Sequence, residues 1–356
     1  MPETNPEVAL EDRLVSSAIA ALEMYSIHLG RQLGLYEALT SGPCTAAELS
    51  VSTDLDLRHT REWLEQQAVA GFIGVEGAER PWQERRYTLD GPSAAVFIQA
   101  EDPRHVSPLA DMVVGVGQAM DAVSASFRSG KGVPFSDYGP HLREGQGAVN
   151  RPAFAHDLVP SWIGAVDGLT ERLNSGGRIA DLGCGVGWST IAMAAQLPAA
   201  DVSGWDNDRA SIERARHNAS GTDVAVGFHE ADAAAMAADG PFDLVTILEA
   251  LHDMAQPAAV LRAACAALKA DGVVLIADEK VADQFIAPGD EIERFMFGWS
   301  VTHCLPASLT DQPSAAIGTA IRASVVRELA ADAGFTSVDE LDVDAGFFRL
   351  YVLRNG

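Results

Sequence analysis

Apolar residues recur at helical spacing through residues 12–40, at Leu14, Ile19, Leu22, Tyr25, Leu29, Leu33, Leu35 and Leu39. This spacing predicts two helices with a break near Gly34. Thr45 followed by Glu48 is the signature of a capping box and starts a short helix. Asp54 to Ala70 reads as a further amphipathic helix, with Leu57, Trp63, Leu64 and Val69 on its apolar side. Gly71–Val75 and Arg86–Leu89, separated by a polar turn, read as a strand pair. Another helical stretch is expected over Ser107–Phe127. Residues 130–147 are rich in Gly, Pro and aromatic side chains and read as a loop that either lines a site or simply links. Asn150-Arg151-Pro152 opens a helix running to Leu173, with a break at Pro160.

From Gly177 onward strands and helices alternate, the pattern of a parallel sheet with helices on both faces. Strands are expected at Arg178–Leu182, Asp201–Trp205, Val224–His229, Phe242–Leu248 and Gly272–Ala277. Helices are expected at Ser189–Gln196, 210–219 and 257–270. A long insertion follows, then a helix at Ser324–Ala333. Two closing strands, Ser337–Val343 and Phe347–Leu353, are expected to form an antiparallel edge. The fold class is therefore α/β, a Rossmann-like sheet of seven strands preceded by a mostly helical N-terminal domain. The expected boundaries are 1–95 for that domain, 96–150 for a helical linker and substrate loop, and 151–356 for the sheet domain with its insertion at 279–322. Ligands of such sheets sit beyond the carboxyl ends of the strands. Those ends carry Asp181, Asp206, Asp232 and Glu249.

Helix, short helix, longer helix and hairpin is the order of a winged helix, for which DNA is one partner and packing or dimerisation another. Charge weighs against DNA. The chain has 50 acidic and 25 basic residues, a net charge of −25, and phosphate neutralisation needs a basic face. The third helix itself carries Asp54, Asp56, Glu62 and Glu65 against Arg58 and Arg61. Hydrophobic residues make up 47% of the 356, enough for two domain cores. The four cysteines are scattered without a C-x-x-C pair, and His303-Cys304 has no second cluster beside it in sequence, so neither a disulfide framework nor a metal is expected. The acidic N-terminal stretch has no leader pattern, and no apolar run approaches spanning length, so a cytoplasmic protein is expected.

One short stretch organises the sheet domain. Arg178 to Thr190 runs as an apolar strand ending in a carboxylate, a glycine-rich turn, and the start of a helix. Bare backbone amides there can approach a ligand closely. A dinucleotide fingerprint would place its third small residue at 188, which is Trp188; here the third glycine falls at Gly187. The spacing Asp181-x-Gly183-x-Gly185-x-Gly187 resembles the first motif of class I S-adenosylmethionine (SAM) methyltransferases. Gly204-Trp205-Asp206, Glu230-Ala231-Asp232-Ala233 and Phe242-Asp243-Leu244-Val245 resemble their successive motifs. The N-terminal pattern is similar to the bacterial and plant small-molecule O-methyltransferases. This resemblance implies SAM as cofactor and S-adenosylhomocysteine (SAH) as product. It also implies a homodimer formed by the N-terminal domain.

On the residues, Asp206 is expected to accept from ribose hydroxyls, with Asp208 as the helix cap and Asn207 beside the adenine. Asp232 and the Ala233 amide are expected at the adenine edge. Gly183, Gly185, Asp181 and Glu249 complete the donor site, Asp181 through the methionine ammonium, directly or through water. Leu251-His252-Asp253-Met254 resembles the L-H-D-W segment whose His acts as general base, with Met254 replacing Trp. That implies His252 as the base and Asp253 beside it; the alternative is a turn capped by Asp253 with His252 filling space. Tyr138, His141, Trp299 and His303 are candidates to face the acceptor. The expected activity is methyl transfer to a small hydroxylated, aromatic or polyketide-like acceptor. A ligand-sensing transcription regulator and an N- or C-methyltransferase are the competing readings.

Overall fold

The computed structural model describes residues 9–355. The chain divides into two units, one ending at Val114 and one beginning at Gly115. This division falls within 96–150, the segment expected to link the two domains.

In the first unit α1 (Leu10–Gln32) and α2 (Leu35–Leu39) break at Gly34, whose φ of 67° only glycine adopts freely. α3 (Ala46–Thr53) opens on the capping box: Glu48 N–H donates to Thr45 Oγ1 at 3.2 Å, and Thr45 N–H donates to Glu48 Oε2 at 2.7 Å. α4 (Leu57–Val69) starts three residues later than its pattern suggests, because the Asp56 carboxylate caps it by accepting from His59 N–H. β1 (Gly74–Glu76) and β2 (Arg86–Thr88) pair antiparallel, and α5 (Gly91–Phe97) follows. The core gathers around Tyr36, which stacks on Phe97 at 4.2 Å and meets the edge of Trp63 at 5.1 Å. Of α1 only Ile27 and Gly30 are buried within this unit. Leu14, Val15, Ile19, Leu22, Leu29 and Leu33 are exposed, Leu22 by 68%.

α6 (Leu109–Ser129) begins in the first unit and ends in the second, close to the expected span. The loop expected over residues 130–147 is mostly helix. Phe135–Tyr138 form a 3-10 turn, and α7 (Gly139–His156) starts with Pro140 in its first turn, where a missing N–H costs nothing. Pro152, expected near a helix start, lies inside α7. A π-helical turn at Leu158–Ile163 and α8 (Leu169–Asn174) complete the approach to the sheet.

The sheet is built from β3 (Arg178–Leu182), β4 (Asp201–Asp206), β5 (Gly227–Glu230), β6 (Phe242–Leu248) and β7 (Leu268–Glu279). α9 (Trp188–Gln196) follows β3, α10 (Arg209–Ser220) follows β4, and α11 (Pro257–Ala267) follows β6. After β7 the insertion carries α12 (Glu291–Trp299), a π-helical turn at Ser300–Cys304 and α13 (Leu305–Ser308). α14 (Ala323–Ala333), β8 (Ser337–Glu340) and β9 (Phe348–Arg354) close the unit.

The order across the sheet is β5-β4-β3-β6-β7-β9-β8, parallel up to β7 and antiparallel at β9 and β8. Every residue of β6 is buried, as expected of a central strand covered on both faces. β3 lies between β4 and β6, so the strand order reverses there and opens a crevice above their carboxyl ends.

Candidate active site

The turn after β3 is fixed from two sides. Gly183 and Cys184 N–H both donate to Trp205 O, at 2.8 and 3.2 Å, which ties the turn to β4. On the other side Ala250 packs against Gly183: a Cβ on that glycine would lie 2.6 Å from the Ala250 Cβ. Beneath the turn Asp181 is buried. Its Oδ2 accepts from Ser189 Oγ at 2.6 Å and Thr190 Oγ1 at 2.7 Å, and its Oδ1 from Thr246 Oγ1 at 2.7 Å. Burial pushes its carboxyl above the usual range, against the pull of these hydroxyls. Asp181 thus braces strand, turn and helix from behind rather than lining the crevice.

A cavity of about 860 Å³ occupies the crevice. Gly183, Gly185, Asp206, Asn207, Asp232, Ala233 and Glu249 line it, so the strand-end residues other than Asp181 converge there. Asp206 accepts from Gly185 N–H at 2.9 Å and Asp208 N–H at 2.8 Å. Burial pushes its pKa up to about 6 despite those amides. Asp208 caps α10 through Ser211 N–H and also accepts from Arg143 Nε at 2.8 Å, as a cap independent of Asp206. Asp232 caps the following 3-10 turn through Ala234 N–H, which donates to its Oδ1 at 2.8 Å. Glu249 holds a left-handed backbone at φ 53°, sparsely populated for a side chain of its size. Asn150 Nδ2 donates to its Oε2, and burial lifts its pKa to about 7.

Below the cavity floor lies a buried group of acids around one imidazole. His252, 1% exposed, is hydrogen-bonded through Nδ1 to Asp278 Oδ1 at 2.6 Å. Its Nε2 points toward Asp253 Oδ1 at 3.4 Å. Burial alone would lower its pKa, but the carboxylates of Asp278 and Asp253 outweigh this and hold it well above 6.5. Glu279, adjacent in β7, is driven upward by burial and by Glu249. Asp253 lines the cavity; His252 does not.

The four acceptor candidates lie elsewhere. Tyr138 is fully buried, its hydroxyl donating to Thr302 O at 3.1 Å and its ring meeting the edge of His303 at 4.6 Å. His303 is 2% exposed, and burial depresses its pKa to about 4. Trp299 packs edge-on against Phe295, and neither it nor His141 lines the cavity. The cavity is lined instead by Pro134, Phe135, Met254, Ser308, Thr310 and Asp311, among others. Arg143 also escaped the sequence reading, because the first half of α7 was read as a loop, and Asn150 was read only as a helix start. Asp278 could have been found, since it lies at a strand's carboxyl end like the others.

A parallel sheet in this order, reversed at a glycine turn with acids at successive strand ends, defines the class I methyltransferase fold. Residues 173–316 match the family model described as a methyltransferase domain. Among curated relatives, the ubiquinone biosynthesis O-methyltransferase of Pseudomonas aeruginosa (strain UCBPP-PA14) is 36% identical over 126 residues, 34% of this chain and 51% of that protein. The corresponding enzyme of Stutzerimonas stutzeri (strain A1501) is 34% identical over 122 residues, 33% of this chain and 50% of that protein. The chain spans about half the length of the curated relatives it matches. Solved structures resemble it over nearly its whole length. An O-methyltransferase family protein from Burkholderia thailandensis superposes with a TM-score of 0.72 at 17% identity, covering 98% of this chain and 99% of that one. Human N-acetylserotonin methyltransferase in complex with SAM gives 0.71 at 17% identity, covering 99% and 100%. At that identity the likeness establishes the fold. Among the described residues no helix is long and apolar enough to cross a membrane.

Proposed function

We propose that this protein transfers the methyl group of SAM to the hydroxyl of a small acceptor, working as a homodimer. The observation that carries the proposal is the convergence of Gly183, Gly185, Asp206, Asp232 and Glu249 on one cavity at the reversal of strand order. In this reading the glycine turn takes the methionine end of the donor. Asp206 has lone pairs left for the ribose hydroxyls beyond its two amide bonds, and Asp232 meets the adenine amino group. Asp181 acts from behind, as a positioning residue. The sulfonium is primed to leave, so alignment of donor and acceptor supplies much of the rate. The acceptor proton passes toward His252, with Asp278 fixing the ring through Nδ1 and Asp253 as the neighbour that reaches the cavity. The O-methyltransferase names of the relatives and the packing of Asp278 against His252 both support a hydroxyl acceptor.

The exposed leucine face of α1 supports the dimer, since apolar rows of this length on a helix ordinarily meet a partner. The test is turnover of labelled SAM with a panel of phenols, catechols and hydroxylated polyketides. Labelled ether products support the reading. Transfer to amines or carbon acids alone would replace it, and a protein that binds neither SAM nor SAH in calorimetry would end it.

A further inference from the structure

Three different donor atoms meet under the cavity floor. His252 and Asp253 come from the turn after β6, and Cys304 from the π-helical turn after α12. One ligand atom from each lies within 4.8 Å of the other two. Asp253 Oδ1 is buried and has no hydrogen-bond partner among the described residues. It lies 3.4 Å from His252 Nε2. Two ligands on a tetrahedral ion with bonds of about 2.1 Å stand about 3.4 Å apart.

The surroundings point the same way. His252 presents its other nitrogen to Asp278 Oδ1 at 2.6 Å, the arrangement in which a carboxylate orients a metal-ligating imidazole. Asp278 Oδ2 and Glu279 Oε2 are also buried without hydrogen-bond partners among the described residues. A nitrogen, a sulfur and a carboxylate oxygen suit an ion of intermediate softness, which favours Zn²⁺ or Co²⁺ over Mg²⁺ or Ca²⁺.

We propose that His252 Nε2, Asp253 Oδ1 and Cys304 Sγ form a site for one divalent transition-metal ion of the zinc type, with water as the fourth ligand. An ion here takes up the Nε2 lone pair. Metal and proton acceptance at His252 therefore exclude each other, and zinc acts as a reversible brake on methyl transfer. The brake rests on the function proposed above, whereas metal binding itself is read optically and needs no acceptor.

The experiment is titration of metal-free full-length protein with Co²⁺, followed by absorption. One equivalent is expected to raise a thiolate-to-cobalt band in the near ultraviolet and tetrahedral visible bands, and Zn²⁺ is expected to abolish both. Cys304→Ser is expected to lose the near-ultraviolet band, and Asp278→Asn to weaken binding by roughly 10–100-fold, the range for orienting partners. Circular dichroism and SAH calorimetry verify that each variant is folded. No saturable band in folded wild-type protein, or a band unchanged in Cys304→Ser, overturns the proposal. Loss of the reaction with an intact cobalt site would refute only the function proposed above.

Discussion

Substituting Gly183 by Ala tests whether the turn after β3 is set by close packing on the segment that leads to His252. Two costs are expected. The residue has φ 70°, where an L side chain costs roughly 1–2 kcal/mol. Its new Cβ would also lie 2.6 Å from the Ala250 Cβ, far inside normal contact. Forcing a methyl into such a place costs typically about 1–3 kcal/mol. Together, Gly183→Ala is expected to lose about 2–5 kcal/mol of stability by urea unfolding. SAH affinity should fall as well, since relief of the clash must displace either the amide turn or the Glu249-Ala250 backbone.

The double variant Gly183→Ala/Ala250→Gly separates the terms. Removing the Ala250 methyl relieves the contact but leaves the left-handed strain, and the new glycine adds roughly 0.5–1 kcal/mol of its own. The double variant should therefore be more stable than Gly183→Ala alone, while remaining below wild type. If Gly183→Ala matches wild type in urea midpoint and SAH affinity, the turn is not set by this contact. A double variant no better than the single one would assign the whole loss to backbone strain.

Three further outcomes follow from the same geometry. The carboxylates of Asp278 and Asp253 raise the pKa of His252 against the opposing effect of burial. The rate of methyl transfer should rise with pH beyond the ordinary imidazole range, and His252→Asn should flatten that rise and lower kcat by about 10²–10⁴-fold; an unchanged profile would remove His252 from proton transfer. Glu249 has its pKa lifted to about 7, so the folded state binds a proton that the unfolded chain has released. Its contribution to stability is favourable at low pH and is lost as pH climbs from the ordinary carboxylate range through about 7, so thermal melts of Glu249→Gln should show less of that decline. On α1, Leu22→Glu with Leu29→Glu should convert a dimer to a monomer in light scattering while circular dichroism keeps the helix; a dimer that persists would place the interface elsewhere.

Strand ends were the most readable part of the molecule. β3 and β6 fall where their continuous apolar runs placed them, and Asp206, Asn207, Asp232, Ala233 and Glu249 line the cavity because they follow the carboxyl ends of the strands. Asp181 has the same sequence signature yet is turned inward, since Ser189, Thr190 and Thr246 offer it three hydroxyls. Those partners come from two elements, and no local pattern reveals their convergence. α7 was hidden by its glycines and prolines, which tertiary packing overrides. The acceptor side was least legible: Tyr138 and His303 look like recognition residues but pack on each other, and the association of Cys304 with His252 joins segments far apart in the chain.

The family match ends at residue 316, whereas β7 is completed by β9, whose residues Phe348–Arg354 pair with it from Val273 to Glu279. A fragment trimmed to the matched region would leave one side of β7 with open amides and carbonyls along an apolar run, Val273-Val274-Leu275-Ile276-Ala277. Such a bare margin invites pairing with a second chain. The matched region alone is therefore expected to aggregate, with the final hairpin serving as the cover for that edge.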